Sequence, residues 1–161
     1  MIALVDASTL INLVNGGLCG RVLELPDITF AVGPQVLEEC KRQRASVDEL
    51  LAKGLRVLSD DNLPASLFFS LLSEHELGLG ETECLALAIH TGGSVCTDDR
   101  KARKMCGAAI GSERVLGTAK LLRLCVLNGI IGTDEALGAY ELMRSKGAFL
   151  PDVPHEFFIR D

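Results

Sequence analysis

The chain has 161 residues, a formal net charge of -6 and a hydrophobic content of 48%. That length suits one typical domain, expected over residues 1–161, and the apolar share supports a core, which excludes a disordered tail or a linker. The acidic balance and an aromatic content of 4% exclude a globally basic DNA-binding module and a base-stacking platform, so any nucleic acid must be met by local basic patches and bound cations.

Six cysteines stand at 19, 40, 84, 96, 106 and 125 with no CxxC, and no histidine lies at zinc-finger spacing. They read as reduced thiols of a cytoplasmic protein; Cys84, Cys96 and Cys125 fall in apolar runs, where cysteine acts as a small core residue. The opening stretch MIALVDASTLINLV has no basic leader and carries Asp6 in its middle, so it is not a signal peptide. No run approaches the ~18 apolar residues of a membrane span.

In chain order, Ile2 to Val5 form a short apolar run ending at Asp6, the pattern of a buried strand. Ser8 or Thr9 is placed to cap a helix over Leu10 to Val14, stopped by Gly16-Gly17. Ile28 to Val32 predict a second strand, and Pro34 opens a helix through about Arg44. Ser46 and Glu49 predict a capping box for a helix ending near Gly54, followed by a third strand over Leu55 to Leu58. Pro64 to about Ser73 read as a helix. Gly80 opens a strong helix from Glu81 to about His90, whose stretch Cys84 to Ile89 is apolar all round and therefore deeply buried. Gly92-Gly93 end it. Ser94 to Cys96 predict a strand closed by Thr97-Asp98-Asp99, with a basic helix over Arg100 to Cys106 behind it. Val115-Leu116 make a last short strand, Gly117 to Asn128 and Thr133 to Lys146 two more helices, and the segment after Pro151 reads as irregular. Short apolar strands alternating with helices predict an α/β fold, a mainly parallel central sheet covered by helices on both faces.

Sites in open α/β sheets lie beyond the carboxyl ends of the strands. Asp6 ends the first strand, and Asp98 and Asp99 end a later one; if those strands are neighbours at the switch point, the carboxylates share a cleft. Such acids repel unless a cation holds them, and hard oxygen ligands suit Mg²⁺ or Mn²⁺, which activate water and stabilise an in-line phosphoryl displacement. Each aspartate can alternatively cap a helix. Arg100, Lys101, Arg103 and Lys104 follow directly: they are candidates to hold phosphates, or a solvated face.

From VDASTLINL to the region around LGTAKLLRLCVLNGII the chain resembles the PIN-domain family. The opening strand ends in Val5-Asp6-Ala7-Ser8. PQVLEE offers Val36 and Glu39 in a Val-x-x-Glu setting. GLGETECLALA resembles the GxGExExxxLA form of a branch close to the VapC-type toxins. VCTDDRKAR closes with an acid after a strand, and Gly117-Thr118 precede an apolar helix. The resemblance implies a three-layer α/β/α fold and a Mg²⁺- or Mn²⁺-dependent endoribonuclease hydrolysing RNA phosphodiester bonds. It implies catalytic Asp6, Glu39, Glu83 and Asp99, with metal ligands Asp6, Glu83, Asp98 and Asp99. Glu81 and Glu83 stand about 200° apart on a helix, so both cannot face one ion; Glu83, directly before the apolar run, matches the family's third acid, leaving Glu81 to the helix N-terminus. Ser8 supports the metal site in the family setting, or caps the helix.

The resemblance further implies a toxin role with an antitoxin protein filling the cleft, and a homodimer, for which the apolar segment holding Leu67, Phe68, Phe69, Leu71 and Leu72 is the expected interface. The alternative within the same fold is a non-catalytic binding or scaffold protein. A haloacid-dehalogenase-type phosphatase requires DxD at the first strand, and position 8 is Ser; a receiver domain requires a mid-sheet phosphoacceptor and a later lysine that have no clear match.

Overall fold

The computed structural model describes residues 1–159; the last two residues of the expected domain lie outside the described residues. Five strands, β1 (Ile2–Val5), β2 (Thr29–Val32), β3 (Arg56–Val57), β4 (Ser94–Cys96) and β5 (Val115–Leu116), make one sheet in the order β3-β2-β1-β4-β5. Every pairing is parallel. The chain winds outward from β1 to β3, then returns to place β4 on the other side of β1, with Val5 opposite Cys96. The β1/β4 boundary is therefore the switch point where the winding reverses, and the expected adjacency of the two acid-bearing strands holds. Ala3, Leu4, Ala31, Val32, Val95 and Cys96 are all but inaccessible to solvent, as strands covered on both faces must be.

The helices are α1 (Ala7–Asn15), α2 (Cys19–Val22), α3 (Pro34–Glu39), α4 (Arg44–Ala52), α5 (Ala65–His75), α6 (Leu79–Thr91), α7 (Arg100–Ile110), α8 (Thr118–Leu127) and α9 (Thr133–Ser145). Helices α1, α2, α8 and α9 pack on one another, as do α5, α6 and α7, and α3 touches both α1 and α6. Along α6 Cys84 to Ala88 are buried, which fits a helix apolar on every side; Ile89, expected to share that burial, is 38% exposed because it lies in the last turn.

Four expectations are corrected. Asp6 itself caps α1, one turn ahead of the expected start, and Ser8 and Thr9 lie inside the helix. The helix expected from Pro34 to Arg44 breaks at Cys40 into α3 and a 3-10 turn over Lys41–Gln43; the break buries Val36 and Cys40 while α4 re-enters with Val47 and Leu50 inward. The capping box at Ser46 and Glu49 does not form, because α4 already begins at Arg44 and Ser46 sits in its first turn. After Pro151 the chain is not wholly irregular: a 3-10 turn over His155–Phe158 seats the Phe158 ring 5.6 Å from that of Tyr140, and both are buried. All six cysteines are buried free thiols. No helix among the described residues is long and apolar enough to cross a membrane.

Candidate active site

The Asp6 amide donates to the Cys96 carbonyl at 3.0 Å, so the ends of β1 and β4 meet here. The Asp6 carboxylate is 2% exposed. It accepts from the Thr9 amide at 2.8 Å and from the Ser8 hydroxyl at 3.0 Å on both oxygens. Burial pushes its pKa up to about 6, opposed by the Thr97 hydroxyl, the Thr9 amide and hydroxyl, and the Ser8 hydroxyl. The Thr9 hydroxyl is close enough to contribute, although it makes no hydrogen bond of good geometry. Desolvation outweighs the donors, and a nearby cation is what would reverse that balance.

After β4 the two aspartates diverge. Asp99 is exposed and caps α7, accepting from the Ala102 amide at 2.8 Å, while its own amide donates to the Thr97 hydroxyl at 3.2 Å. Asp98 turns toward the α1/α8 layer. It accepts from the Asn12 side-chain amide at 3.0 Å, from the Thr118 amide at 2.8 Å and from the Thr118 hydroxyl. Asp98 thus ties α1 and α8 to the end of β4. Asn12 and Thr118 were not foreseen in this role; the signals were a lone amide inside the apolar run LINLV and the Gly117-Thr118 pair that opens α8.

The glutamates form an exchange between α3 and α6. Glu83, 1% exposed on α6, accepts from the Gln35 amide at 3.2 and 3.0 Å and from the Val36 amide at 3.4 Å, the open first turn of α3. Glu39, at the end of α3, accepts from the Gly80 amide at 3.0 Å in the first turn of α6. Each carboxylate satisfies the orphan donors of the other helix. Both contacts require glycine: a Cβ on Gly33 would lie 2.1 Å from a Glu83 oxygen, and one on Gly80 2.7 Å from a Glu39 oxygen. Burial raises the Glu83 pKa, the Gln35 and Val36 amides lower it, and the Asp60 and Glu39 charges raise it.

Glu81 accepts from the Gly78 amide at 3.0 Å, the N-terminal role expected for it. Its pKa is raised first by burial and further by the charges of Asp99 and Glu39, against the Gly78 amide and Lys101. Buried Cys40 feels both Glu39 and Asp6, and buried Cys106 both Glu81 and Asp6, each after the larger effect of burial. The charges of Asp99 and Glu39 reach Glu81, that of Glu39 also reaches Glu83, and Cys84 feels both Asp6 and Glu83, so the five acids lie in one electrostatic field; the Glu83 carboxylate is in addition turned onto the α3 amides.

Of the basic residues, Arg100 and Arg103 line a groove of about 900 Å³ together with Asp98, Lys120 and Arg123. Arg103 also donates to the Thr97 carbonyl at 3.0 Å. Lys101 pairs instead with Glu76, at 3.3 Å to the carboxylate and 3.0 Å to the carbonyl. Lys104 is exposed and does not line the groove. Lys120 and Arg123, one helix further on, do line it and were missed, because they are remote in sequence from the acidic motif.

The donor set suits Mg²⁺ or Mn²⁺ in kind: carboxylates and a hydroxyl, all hard oxygens. It is not gathered as a finished cage: among the described residues no three His, Cys, Asp or Glu side chains are grouped to hold an ion. Every candidate carboxylate accepts from protein donors, and Glu39, Glu81 and Asp99 each do so through one oxygen, which leaves acceptor capacity on the carboxylate for a cation.

An open parallel sheet with acids at its switch point defines an α/β domain of the kind that supports metal-assisted phosphoryl chemistry. The sequence matches the model of a PIN-domain family over residues 2–160, and the chain belongs to that family, whose members are generally nucleases that use divalent metals. The structure is similar to that of a PilT N-terminus domain protein from the hyperthermophilic archaeon Sulfolobus solfataricus P2, with a TM-score of 0.55 and 13% identity, covering 96% of this chain and 100% of that one. At that identity the likeness establishes the fold alone. No curated protein matches the chain significantly.

Proposed function

We propose that the chain is a divalent-metal-dependent ribonuclease that hydrolyses RNA phosphodiester bonds at the β1/β4 switch point. The observation that carries the proposal is the meeting of Asp6 with the Thr97–Asp99 segment at adjacent strand ends, within the field of Glu39 and Glu81. Asp6, Glu39, Glu81 and Asp99 would hold the ion. When bound, the ion supplies an activated water and stabilises the charge of an in-line displacement. Ser8 and Thr97 orient the Asp6 carboxylate. Asp98 fixes the loop after β4 through Asn12 and Thr118. Glu83 locks the start of α3 so that Glu39, at its other end, is delivered to the cleft. Arg100 and Arg103 stand beside the acids where a phosphate would lie. This differs from the ligand set expected from sequence: Glu81 takes the place of Glu83, and Asp98 becomes a brace.

The test is RNA cleavage by purified protein across a metal series, with Asp6→Ala as the control for contaminating nuclease. Cutting that needs Mg²⁺ or Mn²⁺ and Asp6 supports the proposal; undiminished cutting in EDTA, or by the variant, rejects it. A second reading, a PIN-fold binding protein without turnover, is favoured by one observation: each carboxylate already has a protein donor and no three are grouped. Neither Mg²⁺ nor Mn²⁺ would then raise the melting temperature, and no RNA would be cut. A toxin role and an antitoxin partner draw no support from the geometry and are not part of the proposal.

A further inference from the structure

The groove beside the acids has a composition of its own. Arg100, Arg103, Lys120 and Arg123 bring four cations to one channel of a chain whose net charge is -6. Arg123 is held in place: it donates to the Phe157 carbonyl and its guanidinium lies 5.1 Å from the centre of the Phe157 ring. Phe157 meets Phe158 edge-on at 5.2 Å, so both of these rings are engaged within the protein. Phe149 is not. It lies in the loop after α9, lines the same groove and is 98% exposed, while its neighbour Leu150 is 8% exposed. Among the described residues no aromatic ring lies against it. What sets Phe149 apart from other exposed apolar side chains is its place: it lines the groove that the cationic side chains also line.

We infer that this groove binds single-stranded nucleic acid leading to the cleft, with the Phe149 ring as a stacking surface for one base and Arg100, Arg103, Lys120 and Arg123 as seats for the backbone phosphates. The inference rests on the nuclease reading for its direction, since the channel reaches Asp98 at the edge of the acidic site. An apolar peptide would also suit Leu150, Pro151 and Val153 in the lining, but it has no use for the cations beside them, whereas a polyanion with flat bases uses both features. The low aromatic content rules out a platform of several rings and leaves room for one.

The experiment measures binding by fluorescence anisotropy, in EDTA so that cleavage does not intervene. The probes are a short labelled RNA strand, its DNA equivalent and the RNA duplex. Wild type is expected to prefer both single strands over the duplex, and Phe149→Ala to weaken single-strand binding about tenfold, the scale of one lost stacking contact. Phe149→Trp should retain affinity, and Phe149→Leu should behave like Phe149→Ala, because leucine keeps apolar character without a π face. Lys120→Gln should lower the slope of log affinity against log salt by about 0.7, one phosphate contact on a single strand. The RNA and DNA arms show whether the sugar is read. Binding indifferent to Phe149 and Lys120, or retained in Phe149→Leu and lost in Phe149→Trp as an apolar peptide site would behave, overturns the inference. Phe149-dependent binding without metal-dependent cleavage retires the nuclease reading and keeps the groove; Asp6-dependent cleavage with binding blind to Phe149 does the reverse.

Discussion

Replacing Asp6 by Asn should stabilise the metal-free protein at neutral pH, against the usual expectation for a buried, hydrogen-bonded residue. The Asp6 pKa is raised from 3.8 to about 6, chiefly by burial. A raised folded-state pKa means that the folded protein binds a proton the unfolded chain has already released. Its contribution is fully present below the unfolded value and is lost as pH rises through the folded one. At 1.36 kcal/mol per unit, a shift of about two units corresponds to about 3 kcal/mol of destabilisation once the pH exceeds the folded value. Asn keeps the shape, can accept from the Thr9 amide and is as good a helix cap as Asp, but cannot carry the charge. The assay is urea unfolding of wild type and Asp6→Asn in EDTA from about pH 4 to about pH 7, where the other carboxylates cancel in the difference. The variant's advantage should grow by about 2 kcal/mol across that range, and Mg²⁺ at neutral pH should restore wild type but not the variant. A difference that is flat with pH, or that shrinks as pH rises, would refute the claim that desolvation of Asp6 outweighs its donors.

Asp99→Asn should preserve stability within about 0.5 kcal/mol, since Asn caps α7 equally well, yet reduce RNA cleavage at least about 100-fold at saturating Mg²⁺; unchanged cleavage would remove Asp99 from the site. Glu83→Ala should cost about 2 kcal/mol in urea unfolding, because it strands the Gln35 and Val36 amides in a buried place, whereas Glu81→Gln should leave stability nearly intact and lose cleavage; the opposite pattern would return Glu83 to the ligand set. RNA should bind weakly in EDTA and more tightly with Mg²⁺ or Mn²⁺, read by titration calorimetry with Asp99→Asn as the comparison, since a cation must first offset the acids. Phe69 on α5 is 65% exposed amid a half-buried apolar face, so a homodimer through α5 should sediment at twice the monomer mass and revert to monomer in Phe69→Asp; a monomeric wild type excludes that interface.

The fold was legible because its strands are short apolar runs that stop at turn residues, and the order of acids along the chain marked the strand ends. Asp6, Asp98 and Asp99 could be located to the rim of the sheet from sequence alone. Their orientation could not. Consecutive residues leaving β4 point different ways, so Asp98 reaches Asn12 and Thr118 while Asp99 caps α7, and no local pattern encodes a contact across 86 residues. The choice between Glu81 and Glu83 turned on helix phase: two residues apart, only one can face the Asp99 side. That Glu83 goes to α3 depends on how close α3 approaches, which the glycines at 33 and 80 hint at only once the packing is seen. Phe149 was invisible for another reason. An isolated aromatic next to Leu150 and Pro151 reads as core until its exposure is known.

The acids themselves show how a cleft this negative folds without a cation. Asp6 and Asp99 rest on first-turn amides of their own helices α1 and α7, Glu81 rests on the amide of Gly78, the residue that caps α6, and Glu39 and Glu83 rest on first-turn amides of α6 and α3 across the interface. First-turn amides are unsatisfied donors at the positive end of the helix dipole, so each carboxylate meets partial positive charge where it would otherwise meet another acid. A carboxylate that accepts one amide keeps acceptor sites on both oxygens, so a cation can be bound without breaking the cap. The helix caps thus hold the apo site together and, under the proposed function, leave carboxylate oxygens for a divalent ion.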